Sequence, residues 1–118
     1  MNIVVVDDES MIREVVSDIV ETDTDNRVVG RASSADEAQQ MYQDLADNGT
    51  PVHIGIIDGL NGRVGEVIDH QGRFFPESKT IVLSGEEQEC GDAILRKPDG
   101  VSELLTTIRE LSKYLSSI

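Results

Sequence analysis

Four places in this chain hold residue types that could do phosphoryl chemistry. Asp7-Asp8-Glu9 follow the run Val4-Val5-Val6, Asp58 follows Ile56-Ile57, Ser84 follows Val82-Leu83, and Lys97 follows Leu95-Arg96. Each stands at the carboxyl end of an apolar run, where open parallel sheets bind their ligands. If the first and third runs are neighbouring strands, about 4.8 Å apart, their terminal carboxylates crowd into one pocket. Two like charges about 5 Å apart repel by roughly 3 kcal/mol at an effective dielectric near 20, so the acids call for a cation. Oxygen donors without histidine or thiolate favour magnesium over zinc. The Ser84 hydroxyl and the Lys97 ammonium would complete a site for an anion above that metal. Such a set opposes the charge on a transferred phosphoryl group.

The elements that must position these residues alternate along the chain. Ile3 to Val6 is wholly β-branched, the pattern of a strand buried on both faces. Met11, Ile12, Val15, Val16, Ile19 and Val20 form a helical apolar stripe, with Arg13, Glu14, Ser17 and Asp18 opposite. Arg27 to Ala32 reads as a second strand, and Ser34 with Glu37 as a capping box. The helix it opens stops near Asn48-Gly49. Val52 to Ile57 is a third strand, Thr80 to Leu83 a fourth and Ala93 to Leu95 a fifth, with a short helix over Val64 to His70. A last helix spans Val101 to Leu115. This alternation predicts an α/β fold with a parallel sheet covered on both faces.

Composition narrows the function. The 118 residues predict a single domain, 1–118. One cysteine, Cys90, excludes an internal disulfide, and with only His53 and His70 beside it the usual zinc cages are excluded too. Cys90 lies in an acidic stretch that disfavours its thiolate, so it is given no redox task. His53 reads as structural and His70 as solvated. Ten basic against 23 acidic residues leave a net charge of -13, which argues against direct nucleic-acid binding. No apolar stretch is long enough to span a membrane, and acids arrive at Asp7, too soon for a signal peptide. A cytoplasmic location is expected.

Each motif taken alone has a plainer account. Asp7, Asp8 and Glu9 could cap a helix, Asp58 could be a turn residue, and Lys97-Pro98 could be a solvated strand end. Together, Val4-Val5-Val6-Asp7-Asp8-Glu9, Ile56-Ile57-Asp58, Val82-Leu83-Ser84-Gly85 and Leu95-Arg96-Lys97-Pro98 resemble the receiver domain of two-component response regulators, over the whole chain and in the family's order. The resemblance implies a flavodoxin-like, doubly wound, five-stranded parallel sheet in the order 2-1-3-4-5. It implies that Asp58 is the phosphoacceptor, taking its phosphoryl group from a histidine kinase or phosphotransfer protein. Asp8 would bind Mg2+ directly and Asp7 often through water, with Asp58 and the backbone carbonyl of Leu60 as further ligands. Ser84 would hydrogen-bond the phosphoryl group, Lys97 would pair with its oxygens, and the Lys97-Pro98 bond would be cis. The chain would be a signalling domain and not a turnover enzyme, passing its message to an unknown downstream protein.

Three departures from the family pattern stand out. Only eight residues, Gly85 to Asp92, separate Ser84 from the fifth strand, so the fourth helix of the family is expected to be missing or vestigial and the fifth strand poorly paired or tightly joined. Ile94 stands where the family usually has an aromatic residue, which removes the usual ring from the coupling between site and surface. After Asp58 the run Gly59-Leu60-Asn61-Gly62 replaces the family's usual pattern and makes the Leu60 carbonyl a less fixed ligand. Two other functions therefore compete. One is a pseudo-receiver, a constitutive interaction module without a switch. The other is a haloacid-dehalogenase-type phosphohydrolase, which needs a second aspartate two places after Asp58, where this chain has Leu60.

Overall fold

A computed structural model of the chain describes residues 1–58, 63–84, 93–96 and 103–115. Five strands, β1 (Asn2–Val6), β2 (Arg27–Ala32), β3 (Ile54–Asp58), β4 (Lys79–Ser84) and β5 (Ala93–Arg96), form one sheet. Its order is β2-β1-β3-β4-β5, with every pair parallel, as the resemblance implied. Four helices are described: α1 (Ser10–Glu21), α2 (Ala35–Asp47), α3 (Val64–Phe74) and α4 (Leu104–Leu115). The expected loss of a helix between β4 and β5 concerns residues 85–92, which lie outside the described residues. β5 itself pairs with β4 from Ile81↔Ala93 to Ser84↔Arg96, a regular four-position ladder. Of the two expectations for this strand, poor pairing is not met, while the tight joining falls on residues outside the description. No helix among the described residues is long and apolar enough to cross a membrane.

The valine run of β1 explains the layers. Alternate side chains point to opposite faces, so Ile3 and Val5 join Val16 and Val20 of α1 and Leu104, Ile108 and Leu111 of α4 in one core. Val4 and Val6 join Ala38 and Tyr42 of α2 and Val64 and Val67 of α3 in the other. Both faces are covered, and every residue from Ile3 to Val6 is buried.

Several boundaries differ from the sequence reading, each for a packing reason. On α1 the apolar stripe is narrower than expected: Val16 and Val20 are buried, but Met11 is 74% exposed and Val15 44%. A helix lying on a sheet covers only one arc of its circumference, and positions 11 and 15 fall outside it. α3 runs four residues past His70 because Gln71, 1% exposed, locks its last turn to the sheet. The Gln71 amide donates to Ser78 Oγ at 2.8 Å and to the Lys79 carbonyl at 2.9 Å, and its Oε1 accepts from the Tyr42 hydroxyl at 2.8 Å. His70 is half-buried, not solvated, and its Nδ1 has no hydrogen-bond partner among the described residues.

The termini of α2 follow their sequence signals. Ser34 Oγ accepts from the Glu37 N–H at 3.1 Å, while the Glu37 carboxylate accepts from the Ser33 hydroxyl. At the other end Gly49 adopts a φ of 73°, the Thr50 N–H donates to the Leu45 carbonyl and the Gly49 N–H to that of Ala46. That is the Schellman closure that favours glycine.

Candidate functional site

Strand register brings the candidate residues to one edge. Val6 pairs with Ile57, so the next residues, Asp7 and Asp58, stand side by side at the carboxyl ends of β1 and β3. Asp58 pairs with Leu83, which puts Ser84 one position further along β4. Ser84 pairs with Arg96, the residue before Lys97. These are backbone positions. The carboxylate of Asp58 and the hydroxyl of Ser84 lie outside the described side chains, and Leu60 and Lys97 lie outside the described residues. The shared cleft proposed for Lys97 and the metal-ligand role of the Leu60 carbonyl thus concern atoms beyond the description, as does the cis bond at Lys97-Pro98. The same holds for the Ile94 side chain.

Asp7 is the best-defined member. It is 2% exposed, an unusual environment for a carboxylate. Three bonds fix it. Its N–H extends the β1–β2 ladder to the Ala32 carbonyl at 3.0 Å. Its Oδ1 accepts from the Glu9 N–H at 2.9 Å. Its carbonyl accepts from Arg13 Nη1 at 2.8 Å. Asp8, next in the chain, is exposed. Helix capping does not account for the acids, because Glu9 occupies the N-cap of α1 and its side chain makes no cap bond. No three histidine, cysteine or acidic side chains among the described residues are grouped to hold a metal ion. The chemistry of the donor set, two adjacent carboxylates with a third expected from Asp58, fits a hard divalent cation and not zinc.

Arg13 is the residue that sequence reasoning missed, having been left on the polar face of α1. The signal was available in principle. Helical side chains lean toward the N-terminus, so a long donor just over one turn into α1 can reach back to the end of the preceding strand.

Away from the acids, His53 takes a structural part at the other end of the sheet. Its Nδ1 accepts from the Asn2 N–H at 2.8 Å, and burial, with the nearby amino terminus, holds its pKa below 6.5. A cavity of about 520 Å³, lined by Pro51, His53, Phe74, Phe75 and Pro76 among others, lies at that same end. It is remote from the carboxylates.

No protein-family model matches the chain, and no curated protein does either. Solved structures do. A crystal structure of the P1 domain of CheA3 in complex with CheY6 from R. sphaeroides is similar with a TM-score of 0.73 and 22% identity, over 95% of this chain and 96% of that one. The response regulator domain of Thermotoga maritima CheB is similar at 0.70 and 23%, covering 94% of this chain and 95% of its own. The fold is that of a response-regulator receiver domain. The isolated receiver domain of RcsB from Salmonella enterica serovar Typhimurium, solved in the presence of the phosphomimetic BeF3-, is similar at 0.72 and 20%, covering 96% of this chain and 88% of its own. In the receiver fold β1 and β3 are neighbours, which is the arrangement that sets Asp7 beside Asp58 here.

Proposed function

We propose that this chain is a phosphoacceptor receiver domain of a two-component system. The observation that carries the reading is the register that sets Asp7, Asp58 and Ser84 at adjacent strand ends, with the Asp7 carboxylate buried. In this reading a carboxylate oxygen of Asp58 attacks the phosphorus of a phosphohistidine donor. An O–P bond forms, the P–N bond breaks, and the electron pair leaves with the imidazole, which takes up a proton. Asp7 and Asp8 would hold Mg2+, which when bound offsets charge on the phosphoryl oxygens. Ser84 would donate to one of those oxygens and Lys97 would pair with another. The acyl phosphate would then be the signal, and the domain would act as a phosphorylated switch and not as a turnover enzyme.

The donor would be a histidine kinase or phosphotransfer protein. The similarity to a structure holding a CheA3 P1 domain supports that class. So does α1, which presents Met11 and Val15 to solvent directly after the acids, an apolar footing flanked by Glu14 and Asp18. The message would leave by binding a further protein or by onward phosphotransfer.

The test is incubation with Mg2+ and acetyl phosphate, followed by intact mass. One added phosphoryl group is expected on the native chain and none on Asp58→Asn with the fold retained by circular dichroism. An unlabelled native chain beside a labelled control receiver would overturn the proposal.

A further inference from the structure

We infer that Arg13 is a positioning residue that sets the direction of the Asp7 and Asp8 carboxylates, and through it the affinity of the cleft for a divalent cation. The inference rests on the proposed function for the identity of the ligand, and on the structure for the contact.

The Asp7 carbonyl belongs to the peptide that joins Asp7 to Asp8, so whatever holds that oxygen sets the plane from which the Asp8 side chain departs. At the strand end the Asp7 N–H still donates to the Ala32 carbonyl, which holds one side of the residue. Arg13 Nη1 holds the other, donating to the Asp7 carbonyl at 2.8 Å, a charge-assisted bond from a half-buried side chain. Arg13 is in turn anchored from behind. Its own carbonyl accepts from the hydroxyl of Ser17, 0% exposed, at 2.7 Å, and that hydroxyl accepts from Arg31 Nε of β2 at 3.1 Å. The chain Arg31–Ser17–Arg13–Asp7 therefore ties the acid-bearing turn to the neighbouring strand through α1.

Charge and geometry make opposite demands here, which gives the inference a sign. A guanidinium beside carboxylates repels an incoming cation, so if Arg13 acted only as a charge, its removal would tighten Mg2+ binding. If it positions the acids, its removal loosens binding despite the lost repulsion. Partners that orient metal ligands are worth about tenfold or more in affinity.

The experiment uses the full chain and its Arg13→Met and Arg13→Lys variants, with folding verified by circular dichroism. In the metal-free protein, the amide 15N shift of Asp8 reports the hydrogen bond to the Asp7 carbonyl. Mg2+ titration by calorimetry gives the affinity. Arg13→Met is expected to move the Asp8 amide and to weaken Mg2+ binding by about tenfold, and Arg13→Lys, which keeps a charged donor, to recover most of both. Unchanged or tighter Mg2+ binding by Arg13→Met overturns the inference. So does an unmoved Asp8 amide. A native chain that binds no Mg2+ at all would overturn the proposed function instead, and the metal-free Asp8 shift would still decide the Arg13 contact. If Arg13→Met fails to fold, Arg13→Gln, whose shorter amide cannot span the same gap, replaces it with the same expectation.

Discussion

At the residue scale, the candidate site rests on a buried acid whose surroundings are polar and specific. Asp7 has its backbone N–H, its carbonyl and one carboxylate oxygen each committed to a named partner. That is the rigidity expected of a group that must present charge in one direction. His53 offers a separate, titratable test at the far end of the sheet. Its imidazole accepts from Asn2 through Nδ1, which requires that nitrogen to be unprotonated. Its folded pKa lies below 6.5, so the unfolded chain takes up the proton first as pH falls. The contribution of His53 to stability is then whole above pH 6.5 and declines below it, until the folded form protonates too. Urea midpoints measured on both sides of that pH are expected to drop on the acid side, and His53→Leu to lose that part of the slope.

At the element scale, helices are held to the sheet by both shape and hydrogen bonds. The carboxamide of Gln71 fills the space over Gly55 on β3 while binding Tyr42, Ser78 and Lys79. A Cβ at Gly55 would collide with that carboxamide, so the glycine is required by close approach and not by its backbone angles. Gly55→Ala is expected to destabilise the protein by about 1–3 kcal/mol, as overpacking does, read from a lowered urea midpoint with unchanged slope. Burial also pushes the Tyr42 hydroxyl well above the ordinary tyrosine range, which favours the neutral form that donates to Gln71. The capping of α2 by Ser34 and its closure by Gly49 were legible as local chemistry. The full length of α3 was not, because Gln71 is polar in the sequence and becomes a core residue only when its three partners surround it.

At the scale of the whole molecule, the parallel sheet collects the acids at one edge, and α1 places its exposed Met11 and Val15 after them. Exposed Glu14 and Asp18 flank this footing on a chain of net charge -13, so under the proposed function the donor would bring an apolar contact face with a basic rim. The double variant Met11→Glu, Val15→Glu is expected to fold and to label normally with acetyl phosphate, since the small donor needs no docking surface. Transfer from a phosphohistidine protein is expected to slow by roughly tenfold, the loss typical of a central contact. Binding of beryllofluoride, followed by amide shifts across the chain, would tell a switch from a constitutive module: shifts reaching beyond the cleft are expected for the first and shifts confined to it for the second.

Read without coordinates, the chain already disclosed its strands, its two-faced sheet and the strand-end acids. Such features are written in local periodicity, in β-branched runs and in the polar residues that interrupt them. Which strands are neighbours is not local: only the pairing of Val6 with Ile57 makes Asp7 adjacent to Asp58, although 51 positions separate those two acids. The same is true of Arg13, Met11 and Val15, each assigned to its helix correctly and to its surroundings wrongly, and of Gln71, which the expected helix over Val64 to His70 left out altogether. A helical period says which residues share a face. It does not say how wide an arc the sheet will cover, or which distant carbonyl a long side chain will reach, and those were decided by packing.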